Sequence, residues 1–425
     1  MISIVEDEDM GKKVAPKKNL SIYIHIPFCV KKCSYCDFLS YPVGENCTGG
    51  YGTLISDYVD ALCTEIKTYS YIAASHSIVT IYIGGGTPSV LDSVYMDKIM
   101  CTIRDTFDVA EDAEISIEVN PGTLTGKKAA SYISLGINRM SIGLQSAKSD
   151  ELKALGRIHN YDQFLAAFNT AREAGFRNIN IDIMSAIPGQ TMRSYLETLD
   201  KVLRMKPEHI SSYSLIVEEG TPLAADSNLR SLIPDEELDR QMYDVTNRLL
   251  NTGGFHRYEI SNYAKTGYEC RHNIVYWTLE EYIGIGIGAA SFFGGRRYTN
   301  DRSIATYIDT MKACGELLCE KTTPAHTAII RNTAGAMRFV DEELCATRLM
   351  EEYMFLGLRM IQGVSADRFE RYFGHSIYDV YGPVIEKYKE SGHLVDDHGL
   401  IYLTNKGLDV SNTILSDFIL DNDIK

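Results

Sequence analysis

The chain has 425 residues, 45% of them hydrophobic and 23% charged, with a formal net charge of −15 and a pI near 5.2. That length and composition describe a globular protein with room for one large domain and a smaller one. The acidic balance argues against a duplex nucleic-acid partner, which needs a dense basic face, and no apolar run reaches the roughly 18 residues of a membrane span.

Residues 1–19 open with Glu6, Asp7, Glu8 and Asp9 and continue with Lys12, Lys13, Lys17 and Lys18. With no apolar stretch between, they are not a secretory signal and read as a mobile leader. A first strand, SIYIHIPF (21–28), leads into Cys29, Cys33 and Cys36, spaced C-x3-C-x2-C. Three thiolates on one short loop can hold three irons of a [4Fe-4S] cluster, which leaves the fourth iron open to a small molecule. Lys31 and Lys32 argue for an exposed loop, and their charge lowers thiol pKa values and suits an anionic cluster. The other cysteines (Cys47, Cys63, Cys101, Cys270, Cys314, Cys319, Cys345) follow no disulfide pattern, which points to a reducing cytosol.

Five more strand-like runs follow, at 77–84, 114–119, 137–145, 178–184 and 209–217. Amphipathic stretches lie among them, at Asp57–Tyr69, Ser93–Thr106, Tyr161–Ala174 and Ser194–Arg204. Repeated β-then-α units imply a parallel sheet with helices outside, either doubly wound or closed into a partial barrel. Glu118, Gln145 and Asp182 each stand at or near the C-terminal end of an apolar strand. In βα barrels that rim carries the chemistry, so a partial (β/α)6 TIM-like barrel over 20–217 is the expected fold.

Gly84-Gly85-Gly86-Thr87-Pro88 follows the second strand and lacks the lysine of a P-loop. Its backbone suits a ligand with amino and carboxylate ends. The accessory and connector region, 218–345, contains Cys270-Arg271-His272-Asn273-Ile274-Val275-Tyr276-Trp277. An axial ligand, a ring to stack on and an arginine for propionates would suit a planar macrocycle. On spacing alone, however, a structural histidine beside a core tryptophan is the default. The glycine run 284–291 reads as close backbone packing, since no nucleotide-binding helix and acid follow it. Residues 346–425 read as three short helices, a hairpin turning at Asp397-His398-Gly399 and a last helix, a small winged-helix-like domain without a basic stripe.

Taken together, YIHIPFC, the cysteine triplet, GGGTP, EVNPGT, GLQS, LGRIH, NIDIM, IPGQT and LTNKGL resemble the oxygen-independent coproporphyrinogen III oxidase family of radical S-adenosylmethionine (SAM) proteins over residues 20–420. The resemblance implies cluster ligands at Cys29, Cys33 and Cys36 and SAM contacts at Tyr23, Tyr35, Gly85, Gly86, Thr87, Glu118, Gln145, Arg157 and Asp182. Two departures matter. The oxidases keep a further cysteine where this chain has Phe38, and a longer segment before the position of Tyr23. Both match a sister branch of haem chaperones, marked by an H-N-x-x-Y-W motif that residues 272–277 match in full.

The resemblance therefore implies a cytoplasmic haem carrier with the haem iron at His272, Cys270 as the less favoured ligand and Arg271 placed for a propionate. It also implies an electron donor, a haem-acceptor protein at or near the membrane, and homodimerisation or transfer governed by cluster and SAM. The rival that remains open is an oxidase that decarboxylates coproporphyrinogen III through a 5′-deoxyadenosyl radical.

Overall fold

The computed structural model describes residues 17–43, 51–319 and 324–420. Almost all of the expected leader, and Cys47, lie outside those residues. Strands β1 (Lys18–Ile26), β2 (His76–Gly85), β3 (Asp108–Val119), β4 (Arg139–Gln145), β5 (Asn178–Ser185) and β6 (His209–Ser214) lie side by side in chain order. All five pairings among them are parallel. A doubly wound sheet would reverse its direction of growth partway, whereas sequential addition curls the strands into a barrel wall.

The barrel stays open. Beyond β6 stands an antiparallel hairpin of β7 (His256–Arg257) and β8 (Asn262–Ala264). On the other flank β9 (Tyr282–Ile285) pairs parallel to β1, followed antiparallel by β10 (Ala290–Phe293), β11 (Arg296–Asn300) and β12 (Arg338–Glu343). The region read as accessory and connector thus supplies six of the twelve strands of one sheet. Glu65, fully buried in helix α1 (Tyr51–Thr68), ties that flank down by accepting from Gly286 N (2.8 Å), Asn300 Nδ2 (2.8 Å) and the Tyr307 hydroxyl (2.7 Å).

Period-two alternation gives the wall two chemistries. Ile22, Ile24, Ile81, Ile83, Ile115, Ile117, Ile142 and Ile181 pack outward under the helices, each at most 4% exposed. Burying an isoleucine contributes about 1.5–3 kcal/mol, so this face holds the barrel together. The alternate positions are polar and face inward. Asn180 Nδ2 donates to Ser141 Oγ (2.7 Å) and Asp182 Oδ1 (2.7 Å), and His209 bridges Asn180 (2.6 Å) and the Tyr258 hydroxyl (2.8 Å). The outer helices start and stop as their sequences direct. Asn160 and Gln163 form a capping box before Tyr161–Ala174, and Gly175 ends that helix in the left-handed region.

The C-terminal unit has its own apolar core around Met354, Phe369, Tyr381 and Ile401. Three helices, Ala346–Gly357, Ala366–Phe373 and Ile377–Glu390, precede a hairpin of Leu394–Asp397 and Leu400–Leu403. His398 (φ 53°) and Gly399 (φ 87°) make its two-residue turn at the expected place. Arg368 reaches back to the barrel, donating to Thr278 O (3.0 Å) and pairing with Glu280 (3.3 Å).

Candidate functional site at the mouth of the barrel

The loop after β1 is pinned from three sides. Ser34 N donates to Leu155 O (3.0 Å), Ser34 Oγ to Ala154 O (2.9 Å), and Leu223 N to Ser34 O (2.8 Å). Gly156, at φ 70°, allows this approach, because a Cβ there would stand 3.0 Å from Ser34 N. Held this way, Cys29, Cys33 and Cys36 are half-buried free thiols on the wall of a cavity of about 430 Å³. The Thr87 hydroxyl donates to Cys29 Sγ (3.4 Å) and Arg157 Nη1 to Cys33 Sγ (3.6 Å).

Burial raises the Cys29 thiol and pushes Cys36 up to about 11, outweighing the field of Lys32. The expectation that the lysines depress the thiols is therefore reversed at Cys29 and Cys36. Among the described residues, no three His, Cys, Asp or Glu side chains surround a single metal ion. Ligands on three separate irons of a cubane stand farther apart than ligands of one ion. Three convergent thiols with positive and hydroxyl donors directed at their sulfurs fit an anionic cluster.

Gly84, Gly85 and Gly86 are required by their neighbours. A Cβ would stand 3.0 Å from the Glu118 carboxyl at Gly84, 2.5 Å from the His25 ring at Gly85 (φ 108°), and 2.8 Å from Phe28 O at Gly86. The close approach turns the Gly85 amide onto Glu118 Oε2 (3.1 Å), while the Tyr82 hydroxyl donates to Oε1 (2.9 Å). Burial nevertheless pushes Glu118 up to about 7. Burial also raises Asp182, against hydrogen bonds from Ser141 (2.8 Å) and Asn180.

Gln145 sits at φ 66°, where the register of β4 against β5 shifts. Such a bulge re-aims a side chain, and here it brings Gln145 to the cavity wall. Arg157 is fixed by Asn120 Oδ1 (2.9 Å) and Gly143 O (2.9 Å).

Of the thirteen residues singled out from the sequence, eleven line this one cavity. Tyr23 lies off it. Its hydroxyl meets His25 Nδ1 (3.0 Å), and it lines a neighbouring cavity of about 350 Å³ with Tyr276, Tyr282 and Arg302. Phe38, 61% exposed, borders both cavities.

The remaining residue, His272, lines neither cavity. It is 1% exposed and stacked on Tyr82 at 5.2 Å, with Nδ1 bonded to Thr80 (2.7 Å) and Nε2 to Tyr276 (2.8 Å). Burial pushes its pKa down to about 3, so it is neutral, but neither nitrogen is open to an iron. Cys270 donates its thiol to Glu114 (3.4 Å) and is pushed up to about 12 by burial, while Arg271 pairs with Asp112 at the surface (3.4 Å). Within the motif, Asn273 reaches the cavity instead. Sequence reasoning missed Asn273 and Arg139, although the inward register of β4 (Arg139, Ser141, Gly143) was a signal for the second.

A parallel partial barrel with three thiols on the loop after its first strand is the architecture of the radical SAM superfamily. Residues 23–202 match the model of that superfamily, and residues 344–410 match the HemN C-terminal domain. The chain is 34% identical over 404 residues to the heme chaperone HemW of Bacillus subtilis (strain 168), covering 94% of this chain and 99% of that protein. It is 38% identical over 271 residues to the heme chaperone HemW of Escherichia coli (strain K12), covering 64% and 69%. The chain belongs to the HemW family of radical SAM proteins. Its fold superposes on coproporphyrinogen III oxidase (HemN) from Escherichia coli with a TM-score of 0.78 at 21% identity, covering 96% of this chain and 91% of that one. Among the described residues, no helix is long and apolar enough to cross a membrane.

Proposed function

We propose that this protein is a cytoplasmic haem chaperone that binds haem and passes it to an acceptor protein, carrying a [4Fe-4S] cluster and SAM at the barrel mouth. The observation that carries this reading is near full-length similarity to a protein named as a heme chaperone, 34% identical over 99% of its length. Phe38, where the oxidases of the resemblance keep a cysteine, supports the same side.

Cys29, Cys33 and Cys36 would hold the cluster, which supplies one iron with an open position for the amino and carboxylate end of SAM. Arg157, already directed at Cys33 Sγ, offsets the negative charge of the loop. Gly85, Gly86 and Thr87 would form the wall against SAM, with Tyr35 on the same cavity. Glu118, ionised above about 7, would be the anionic partner for the cationic part of SAM. Gln145 and Asp182 complete the polar rim. Half-buried thiols that must ionise to take metal suit a reducing compartment.

The test is anaerobic reconstitution followed by haem titration, transfer to an apo-haemoprotein, and incubation with SAM, reductant and coproporphyrinogen III. Stoichiometric haem binding and transfer, without protoporphyrinogen, is the expected result. Protoporphyrinogen formation would overturn the chaperone reading in favour of the oxidase.

A further inference from the structure

The second cavity, of about 350 Å³, lies beside the cysteine loop and has no part in holding the cluster or SAM. Small residues open it. Gly288 stands at φ 61°, and a Cβ there would lie 2.8 Å from Leu39 Cδ2 and 3.9 Å from Arg302 Cγ, both on the cavity wall. Ala290, two positions on, lines the same space. The glycine run that reads as close backbone packing therefore also keeps this cavity clear.

Aromatic rings make its inner wall. Tyr276 and Tyr282 meet edge to face at 4.7 Å, and Tyr23 joins them. The Tyr23 hydroxyl is satisfied at His25 Nδ1 (3.0 Å) and that of Tyr276 at His272 Nε2 (2.8 Å), while His25 Nε2 is taken by Leu39 O (2.8 Å). The rim differs. It carries exposed Phe38, and the exposed guanidinium of Arg302 has no hydrogen bond or ion pair among the described residues. Asp37, the other charge on the rim, does not pair with it. Aromatic walls with one unpaired guanidinium at the entrance match a flat apolar molecule that carries carboxylates on one edge.

We propose that this second cavity takes one edge of the haem macrocycle, with the ring against Tyr276, Tyr282 and Phe38 and a propionate on Arg302. The site rests on the haem-binding reading above and gives that reading a place. SAM keeps the larger cavity, and Phe38, which borders both, stands between the two ligands. His272 stays behind the Tyr276 ring without touching the macrocycle.

The test uses the full chain with its cluster reconstituted. Haem, haem dimethyl ester and SAM are each titrated into the unmodified protein, Arg302→Gln, Arg302→Lys and Ala290→Phe. Haem affinity should fall about tenfold or more in Ala290→Phe, which overfills the cavity, and about fivefold in Arg302→Gln, where solvent screens the lost pair. Esterification should cost the unmodified protein a similar factor and Arg302→Gln nothing further, and Arg302→Lys should recover part of the loss. SAM affinity should stay unchanged in all three variants. Unchanged haem affinity in Ala290→Phe overturns the site, and so does loss of SAM binding there, which would make the two cavities one. Unchanged haem affinity in Arg302→Gln and for the ester overturns the propionate contact. Should Ala290→Phe fail to fold, Arg302→Gln and the ester decide. An unmodified protein that binds no haem defeats the haem reading itself, whereas haem bound equally by every variant defeats only this site.

Discussion

The mouth and the floor of the barrel hold similar kinds of side chain in opposite conditions. At the mouth, Cys29, Cys33 and Cys36 are half-exposed, and the groups nearest them donate toward their sulfurs. At the floor, His272 has both nitrogens occupied, Cys270 is sealed against Glu114, and Trp277 lies half-buried beneath Arg359. A ligand-type residue is therefore available or not according to its neighbours, and a motif's chemistry alone does not say which.

The contrast breaks most sharply at the cysteines. Replacing Cys29, Cys33 or Cys36 with alanine should abolish the visible absorbance of the reconstituted cluster, while Cys270→Ala leaves it intact. A cluster that survives loss of one of the three would remove that cysteine from the site. Next comes Gly85→Ala, which adds positive-φ strain to a Cβ 2.5 Å from the His25 ring. A loss of about 4 kcal/mol is expected, read by denaturant unfolding, together with weaker SAM binding.

Glu118→Gln tests the mouth through pH. The carboxyl titrates near 7 in the folded protein against 4.5 for the ordinary group, so the folded state holds its proton more tightly between those values. Its stabilising contribution is full below about 4.5 and lost as pH rises through about 7, on the order of 3 kcal/mol in all. The stability gap between the glutamine variant and the unmodified protein should therefore move in the variant's favour from about pH 5 to about pH 8. A gap independent of pH would show that Glu118 is an ordinary carboxylate.

At the floor, His272→Ala removes a stacked ring and leaves the Thr80 and Tyr276 hydroxyls facing a void. A loss of about 2 kcal/mol is expected, with the haem Soret band unchanged in a folded sample. A shifted Soret band would mean that the floor opens and that His272 ligates after all.

Much of this was legible in the chain. The six strands declare themselves through alternation, because their outward isoleucines and inward polar residues are consequences of one pleat. The mouth was legible because its residues follow strand ends, where barrel geometry itself makes them converge. The floor was not. His272 is closed by Thr80, 192 positions away, and no local pattern reports so distant a partner. Strands β9 to β12 were equally hidden, since their pairing is anchored by the buried carboxylate of Glu65 in α1 rather than by turn signals. Gln145 was found as a strand-end residue, but the bulge that turns it inward comes from register against β5.

The smallest effect is expected at Arg271. Offered for a propionate by its place beside His272, it lies at the surface with its side chain 44% exposed, paired to an Asp112 that is 83% exposed. Solvent screens such a pair, and its loss should cost less than about 0.5 kcal/mol. Arg271→Ala should accordingly leave haem affinity within experimental error. A clear loss of haem affinity in a folded sample would place a propionate at the outer surface of the barrel, beside a pair that solvent otherwise screens.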